Sequence, residues 1–144
     1  MIIKNRPATF EYAIEDRLTA GIVLTGSEIK SVRNGKVNFA DSYCLFKDGE
    51  LWLLNLHIAE YVNAGYAGHE AVHDRKLLLT KTELRKWLKK VKEKGVTIIP
   101  LSMFINEKGL AKVELGLGKG KKLHDKRASI KDREVDREIR RHLG

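Results

Sequence analysis

The sequence predicts a mainly β fold with short helices. Short apolar stretches recur along the first 118 residues and are separated by turn residues such as Asp48-Gly49. Helical periodicity occurs in only two of these stretches. The pattern gives about six strands and two helices, which is typical of a small closed or partly closed antiparallel barrel. We therefore predict an OB-like antiparallel β-barrel over residues 1–118 and a basic C-terminal tail over residues 119–144.

The start of the barrel is predicted from alternation and capping. Residues 9–26 alternate apolar and polar side chains well enough to indicate a strand, a turn and a second strand. Residues 27–35 follow as one or two helical turns, which Ser27 can cap and Gly35 can end.

Two hairpins and a single strand complete the predicted barrel. Residues 42–61 form the clearest hairpin, because Asp48-Gly49 tolerates the two positive φ angles of a type I′ turn. Residues 76–80 are apolar enough for another buried strand. Residues 96–117 form the last hairpin, in which Pro100 has no N–H and requires a sheet edge or a bulge.

The best helix begins after Thr80, which can form a capping box with Glu83. Its apolar residues recur at i, i+3, i+4 and i+7, so one stripe faces the core. The stripe consists of Leu84, Trp87, Leu88 and Val91. The lysines between them point outward, and Gly95 can end the helix.

The chain changes character at Gly116, after which there is almost nothing to bury. Acid–base pairs such as Asp136–Arg140 have a spacing that supports a helix. An isolated helix of this length is marginal in water. We predict a tail that is disordered when free and helical when bound to a charged partner.

Positive charge is concentrated in two segments. The chain holds 28 Lys and Arg against 19 Asp and Glu, a net charge of +9. Residues 75–94 hold 9 basic and 2 acidic side chains, and residues 119–144 hold 10 and 5. Two such concentrations indicate a nucleic-acid footprint. For the helix within residues 75–94, a simply solvated lysine-rich face is an equal alternative.

Residues 69–73, HEAVH, match the H-E-x-x-H pattern of zinc proteases. That site needs a helix, since only helical spacing brings both imidazoles to one metal. Gly65 and Gly68 precede the motif, and a strand signal begins at about Lys76. A third ligand is also missing nearby. We therefore predict a surface loop and no metal site.

Other catalytic patterns are absent from the sequence. There is no phosphate-binding loop and no Ser/His/Asp set with a recognisable elbow. We predict that the protein is not an enzyme and uses no cofactor. The single cysteine, Cys44, excludes an internal disulfide and fits a reducing cytosol. No apolar run of about 18 residues and no signal-like start occur, so we expect a cytoplasmic protein without a membrane partner.

Residues 118–127, GKGKKLHDKR, have the chemistry of a nucleic-acid contact. Lysines next to glycines can approach a phosphate backbone closely, the imidazole can stack on a base, and the carboxylate can orient the arginine. Alone, this predicts a sequence-tolerant RNA- or DNA-binding protein on an OB-like barrel. That alternative would need stacking aromatics on one face, and the aromatic residues are scattered: Tyr12, Tyr43, Phe46, Trp52 and Tyr61.

Taken in order, these segments resemble the SsrA-binding protein family, also called small protein B. The resemblance runs from about Asn5 to Glu134, and its most specific parts are GSEIKSVRNGK and GKKLHDKR. It implies an OB-like barrel that binds the tRNA-like domain of transfer-messenger RNA (tmRNA). It further implies delivery of the alanylated RNA to stalled ribosomes together with elongation factor Tu. The tail would enter the empty mRNA channel and meet small-subunit rRNA near the decoding site.

The resemblance also implies site residues, transferred position by position. On the barrel these are Asn5, Arg6, Glu28, Lys30, Arg33, Lys119, Lys121 and Lys122. In the tail they are His124, Asp125, Lys126, Arg127, Lys131 and Arg133. For Glu28, a structural ion pair or a capping role is an equal alternative.

Three departures from the family pattern affect this transfer. Pro7, Ala8, Thr9 and Phe10 stand where the family has more basic residues. Thr19 stands where an acid commonly precedes the Ala-Gly pair. The loop with HEAVHD also differs, which indicates that it tolerates change.

Overall fold

The computed structural model describes residues 2–60 and 69–120, and the remaining positions lie outside the described residues. Three helices are present in the described ranges: α1 (Arg6–Glu11), α2 (Gly26–Arg33) and α3 (Lys81–Lys94). The strands are β1 (Ile2–Lys4), β2 (Tyr12–Ile22), β3 (Val37–Asn38), β4 (Tyr43–Lys47), β5 (Glu50–Leu54), β6 (His57–Ile58), β7 (Arg75–Leu78), β8 (Thr97–Ile105) and β9 (Ala111–Gly120).

Seven of the strands form one antiparallel sheet in the order β1-β8-β9-β2-β7-β5-β4. The strands β3 and β6 form a separate two-stranded sheet. The edge strand β4 lies beside β8, so the large sheet curls into a partly closed barrel. The predicted mainly β fold and OB-like barrel are thus confirmed. None of the helices in the described ranges is long and apolar enough to cross a membrane.

The core is built from the inward-facing residues of the long strands and from α3. Leu53, Leu77, Met103 and Val113 have no exposed surface, and Trp87 of α3 joins the same cluster. The capping box predicted for this helix is present, since Thr80 and Glu83 bond to each other's backbone N–H groups. The helix ends as predicted, with Gly95 in the left-handed conformation at φ 63°.

The prediction for residues 9–26 was wrong. Residues 6–11 form helix α1, and Tyr12–Ile22 form a single long strand with a bulge between Ile14 and Asp16. Pro7 lies in the first turn of α1, where its missing N–H costs nothing. Alternation alone showed neither the helix nor the uninterrupted strand, because the strand is defined by its pairing with β9.

The helix predicted at residues 27–35 is present as α2, but its cap was wrongly assigned. Thr25 is the N-cap, and its hydroxyl accepts from the Glu28 N–H. Strand β7 also differs from the buried strand predicted at residues 76–80. It begins at the buried Arg75, and its side chains alternate, leaving Leu78 half exposed.

The first hairpin has the predicted turn, and the second has a bulge at Pro100. Asp48 and Gly49 both have positive φ angles, 54° and 77°, as a type I′ turn requires. The register of β8 against β9 shifts between Pro100 and Ser102, which is the bulge expected for a proline within a strand.

The glycines at the end of the barrel are packing residues. A Cβ on Gly116 would lie 2.8 Å from Leu101 Cδ1, and one on Gly118 would lie 2.5 Å from the Ala13 carbonyl oxygen. Strand β9 continues through these glycines to Gly120 and pairs Lys119 with Ala13. The barrel strand thus passes beyond position 118, where the sequence placed the domain boundary.

Candidate nucleic-acid interface

The first turn of α2 is fixed by the buried residue Glu28. Its carboxylate accepts from the Thr25 N–H at 3.0 Å, completing the capping box. The same carboxylate contacts Arg75 Nε at 2.5 Å and His73 Nε2 at 3.0 Å. Glu28 and Arg75 are each only 1% exposed. The structural alternative for Glu28, capping plus an ion pair, is therefore what the structure displays.

Burial alone would raise the pKa of Glu28. The hydrogen bond from the Thr25 N–H and the bond and charge of Arg75 outweigh that effect, and His73 adds to them. The net result is a pKa below the usual value for a glutamate, so the carboxylate is kept ionised. A stable buried charge of this kind is a structural anchor for α2.

Arg75 connects that anchor to two other segments. Its Nη1 donates to the Leu56 carbonyl at 2.6 Å, between β5 and β6. Its Nη2 donates to the Ala71 carbonyl at 3.0 Å, within the segment before β7. A single buried guanidinium thus joins α2, the β5–β6 turn and the loop segment that enters β7.

The HEAVH segment packs against α2 and is not helical between residues 69 and 73. His69 donates from Nε2 to the Ile58 carbonyl at 3.0 Å, so its Nδ1 accepts from the Ser27 hydroxyl at 2.7 Å. Both ring nitrogens of His73 are also engaged, by Glu28 and by the Asp74 carbonyl. The two imidazoles are thus committed to protein partners, and they clamp the loop onto the start of α2. Among the described residues no group of three metal-binding side chains occurs.

This clamp could not be read from the sequence. Ser27 and His69 are 42 positions apart, and Glu28 and Arg75 are 47 apart. In the sequence, Ser27 was predicted as a cap, and Arg75 was counted only as one of the 9 basic side chains of residues 75–94. No local signal marks a residue whose partner is so distant.

Two cationic residues of α2, Lys30 and Arg33, follow this anchor along the helix. Lys30 is half-buried and Arg33 is exposed. The Arg33 side chain lies close to Gly109 in the β8–β9 turn and borders a small cavity of about 180 Å³. The cavity is otherwise apolar, lined by Ile3, Val32, Met103, Phe104 and Ile105. The guanidinium is therefore presented at the rim of an apolar pocket.

Asn5 lies beside the middle of β8, and Arg6 follows it in the chain. The Asn5 side-chain amide donates to the Pro100 carbonyl at 2.7 Å, and the Asn5 N–H donates to the Leu101 carbonyl at 2.8 Å. Arg6 is the exposed first residue of α1. A cleft of about 1100 Å³ opens beside Asn5 between β4 and the first residues of β8.

Lys119 is exposed at the end of β9, one residue before Gly120. It lies at the end of the hairpin where β8 begins, since Thr97 pairs with Gly118. Arg33 lies at the other end, beside the β8–β9 turn. At about 3.3 Å per residue the nine residues of β8 span roughly 30 Å. Those predicted barrel residues that the structure describes are thus spread along this hairpin and do not form one compact patch.

The remaining predicted site residues lie outside the described residues. They are Lys121, Lys122, His124, Asp125, Lys126, Arg127, Lys131 and Arg133. The prediction that the tail is disordered when free and helical when bound falls on the same positions.

Comparison with known proteins settles the family. The family described as SmpB protein matches residues 2–144. The chain belongs to the SmpB family. The SsrA-binding protein of Bacteroides thetaiotaomicron is 54% identical over 139 residues, covering 96% of this chain and 93% of that protein. That of Phocaeicola vulgatus is 55% identical with the same coverage.

A solved SmpB-type chain extends the likeness to three dimensions. It comes from a structure described as tmRNA-SmpB in the bacterial ribosome, with a TM-score of 0.71 and 50% sequence identity. The match covers 87% of each chain. At that identity and coverage, this SmpB-family chain shares its fold with a relative described with tmRNA in the bacterial ribosome.

Proposed function

We propose that this chain binds the tRNA-like domain of tmRNA and helps deliver the alanylated RNA to stalled ribosomes. The observation that carries the proposal is the likeness, at 50% identity, to a chain described in complex with tmRNA and the ribosome. The relatives named SsrA-binding protein cover nearly the full chain, which supports transfer of the whole role.

The geometry supports distinct roles for the barrel residues. Arg33 presents a guanidinium beside an apolar cavity, a combination suited to a phosphate or a stacked base at the RNA surface. Lys30, Arg6 and Lys119 are proposed to contact the RNA backbone. Asn5 fixes the approach to α1 through its two bonds to β8.

Glu28 takes a different role in this proposal. Its carboxylate is buried and would repel a phosphate, so it acts by holding α2 in place and not by touching RNA. Because α2 carries Lys30 and Arg33, an error in its first turn would misplace both. Glu28 is therefore proposed as a positioning residue.

The tail completes the proposed role on the ribosome. The tail is proposed to pass from the barrel, whose last strand ends at Gly120, into the vacant mRNA channel. Lys121 and Lys122, directly after that strand, are proposed to contact the tmRNA together with Lys119. His124, Asp125, Lys126 and Arg127 would meet small-subunit rRNA near the decoding site, and Lys131 and Arg133 would follow in the channel. Elongation factor Tu is the proposed partner in delivery. This role requires no catalysis and no cofactor, and it places the protein in the cytoplasm.

A salt-titrated binding assay tests the proposal. The full chain is titrated onto the isolated tRNA-like domain and onto linear RNA of equal length. We expect clear preference for the folded domain at physiological salt, and the log–log slope reports the number of phosphates neutralised. Equal, steeply salt-dependent binding to both RNAs would contradict the proposal. It would favour the alternative of a sequence-tolerant single-strand binder.

A further inference from the structure

Helix α3 carries positive charge that the proposed tmRNA contacts do not use. Its 14 residues include seven Lys or Arg and two Glu side chains, and Glu83 is engaged in the capping box. Because Trp87 is buried, the apolar stripe turns inward and Arg85, Lys86 and Lys89 are exposed. These three residues, together with Lys90, are called the α3 cationic face.

Pairing within the protein does not explain this face. Among residues 2–60 and 69–120, its one ion pair joins Lys90 Nζ to Asp16 Oδ2 at 3.2 Å, and the charge of Lys86 also acts on that carboxylate. One carboxylate thus serves four cations. Arg85–Lys89 and Lys86–Lys90 are like-charged pairs at i, i+4, which destabilise a helix. Favourable interaction with the helix dipole is confined to the last turn and does not apply to Arg85 or Lys86. The free protein therefore carries an arrangement that an external polyanion would stabilise.

The position of the face separates it from Arg33. Helix α3 ends at Gly95, and β8 begins at Thr97, opposite Gly118 of β9. The end of α3 thus lies at the end of the barrel from which the chain continues into the tail after Gly120. Arg33 borders the β8–β9 turn at the opposite end of that hairpin. The molecule presents cations at both ends.

The chemistry of the face fits duplex RNA. The three exposed cationic side chains of the face can lie along a phosphate backbone. Such contacts do not depend on the base sequence. Stacking on unpaired bases needs an aromatic ring or a guanidinium plane. The aromatic residue of α3, Trp87, is buried, and three of the four residues of the face are lysines, whose ammonium groups do not stack. A backbone contact with a helix of RNA is the interaction that remains.

We propose that the α3 cationic face binds the phosphate backbone of duplex rRNA in the small ribosomal subunit. The proposal rests on the proposed function, because a protein that delivers one RNA to another must hold both. The tail is proposed to enter the mRNA channel of that subunit. The surface formed by α3, whose end lies at the root of the tail, then faces the small subunit, and Arg33, Arg6 and Lys119 remain for the tRNA-like domain.

The test compares two matched double variants of the full chain. Lys86→Gln with Lys89→Gln removes two charges from the face while keeping good helix formers and the Lys90–Asp16 pair. Lys47→Gln with Lys76→Gln removes the same charge from β4 and β7, where these lysines pair with Asp74 and Glu50. Each variant is titrated with purified small ribosomal subunits lacking mRNA and, separately, with the isolated tRNA-like domain.

We expect the α3 variant to bind small subunits roughly tenfold more weakly, with a log–log salt slope lower by about 1.5, and to keep its affinity for the tRNA-like domain. The control variant should bind small subunits and the tRNA-like domain as tightly as the wild type does. Unchanged subunit binding by the α3 variant would overturn the proposal. So would a loss confined to the tRNA-like domain, which would assign the face to tmRNA. Failure of the proposed function can be distinguished from this result. In that case the wild type itself would show no preference for the tRNA-like domain over linear RNA.

Discussion

The buried ion pair between Arg75 and Glu28 fixes the position of α2. Each charge alone would be costly in the interior, and together they are satisfied by hydrogen bonds to Thr25, His73 and two backbone carbonyls. Removing one partner of such a pair typically costs about 3–5 kcal/mol, because the other is left buried and unpaired. The exposed pair Lys76–Glu50, at 3.8 Å, contributes much less to stability, because solvent screens the two charges.

The depressed pKa of Glu28 predicts acid sensitivity. Folding favours the ionised form, so its contribution to stability is fully present above the unfolded pKa, about 4.3. It is lost as the pH falls through the lower folded pKa. We expect Glu28→Gln to be markedly less stable than the wild type at pH 7. The difference should shrink as the pH falls toward 3.

Urea denaturation midpoints between pH 7 and pH 3 measure this difference. Glu107→Gln is the matched control, because Glu107 is exposed in the β8–β9 turn. That variant should follow the wild-type curve throughout. Parallel curves for Glu28→Gln and wild type across the whole range would show that Glu28 does not carry the predicted pH dependence.

At the scale of elements, β2 and β9 are brought together by glycine. Gly116 and Gly118 have no side chains where Leu101 and the Ala13 backbone approach, so the two strands pair closely to the end of the barrel. The same segment carries Lys119, whose position on an ordered strand depends on that pairing. The packing of this strand end thus controls where the tail begins.

Gly118→Ala tests this dependence. A Cβ would lie 2.5 Å from the Ala13 carbonyl oxygen, a backbone atom that cannot move without disturbing β2. We expect a loss of about 1–3 kcal/mol in the free energy of unfolding, measured by urea titration. Gly120→Ala is the control, since nothing lies within 4 Å of its added Cβ. Equal stability of the two variants would mean that the strand end is not tightly packed.

Helices with local signals were predictable, and elements defined by distant partners were not. The capping box, apolar stripe and Gly95 of α3 all act within a few residues, as does the Asp48-Gly49 turn. Helix α1 is short, with a single buried residue, Ala8, and its signal was hidden by alternation. The histidine clamp on α2 depends on contacts over more than 40 positions, which no local pattern records.

At the scale of the whole molecule, the structure arranges cations along the length of the barrel. Arg33 lies beside the β8–β9 turn, while α3 and Lys119 lie toward the other end, next to the start of the tail. The family resemblance supplied the identities of the site residues. The structure adds that Arg33 and Lys119 lie at opposite ends of β8, which spans roughly 30 Å. This arrangement suits a protein that joins two RNAs and divides its contacts between barrel and tail.

That division predicts separable functions. Replacing Asp125, Lys126 and Arg127 together with alanine should leave affinity for the tRNA-like domain nearly unchanged, because the proposed barrel contacts are intact. The same variant should abolish peptide tagging on stalled ribosomes, because the proposed contact near the decoding site is lost. Arg33→Gln is the complementary variant and should weaken RNA affinity first, with tagging restored at higher protein concentration. Filter binding on the tRNA-like domain and a reconstituted tagging assay measure the two quantities. A parallel collapse of affinity and tagging in the tail variant would show that barrel and tail bind the RNA as one surface.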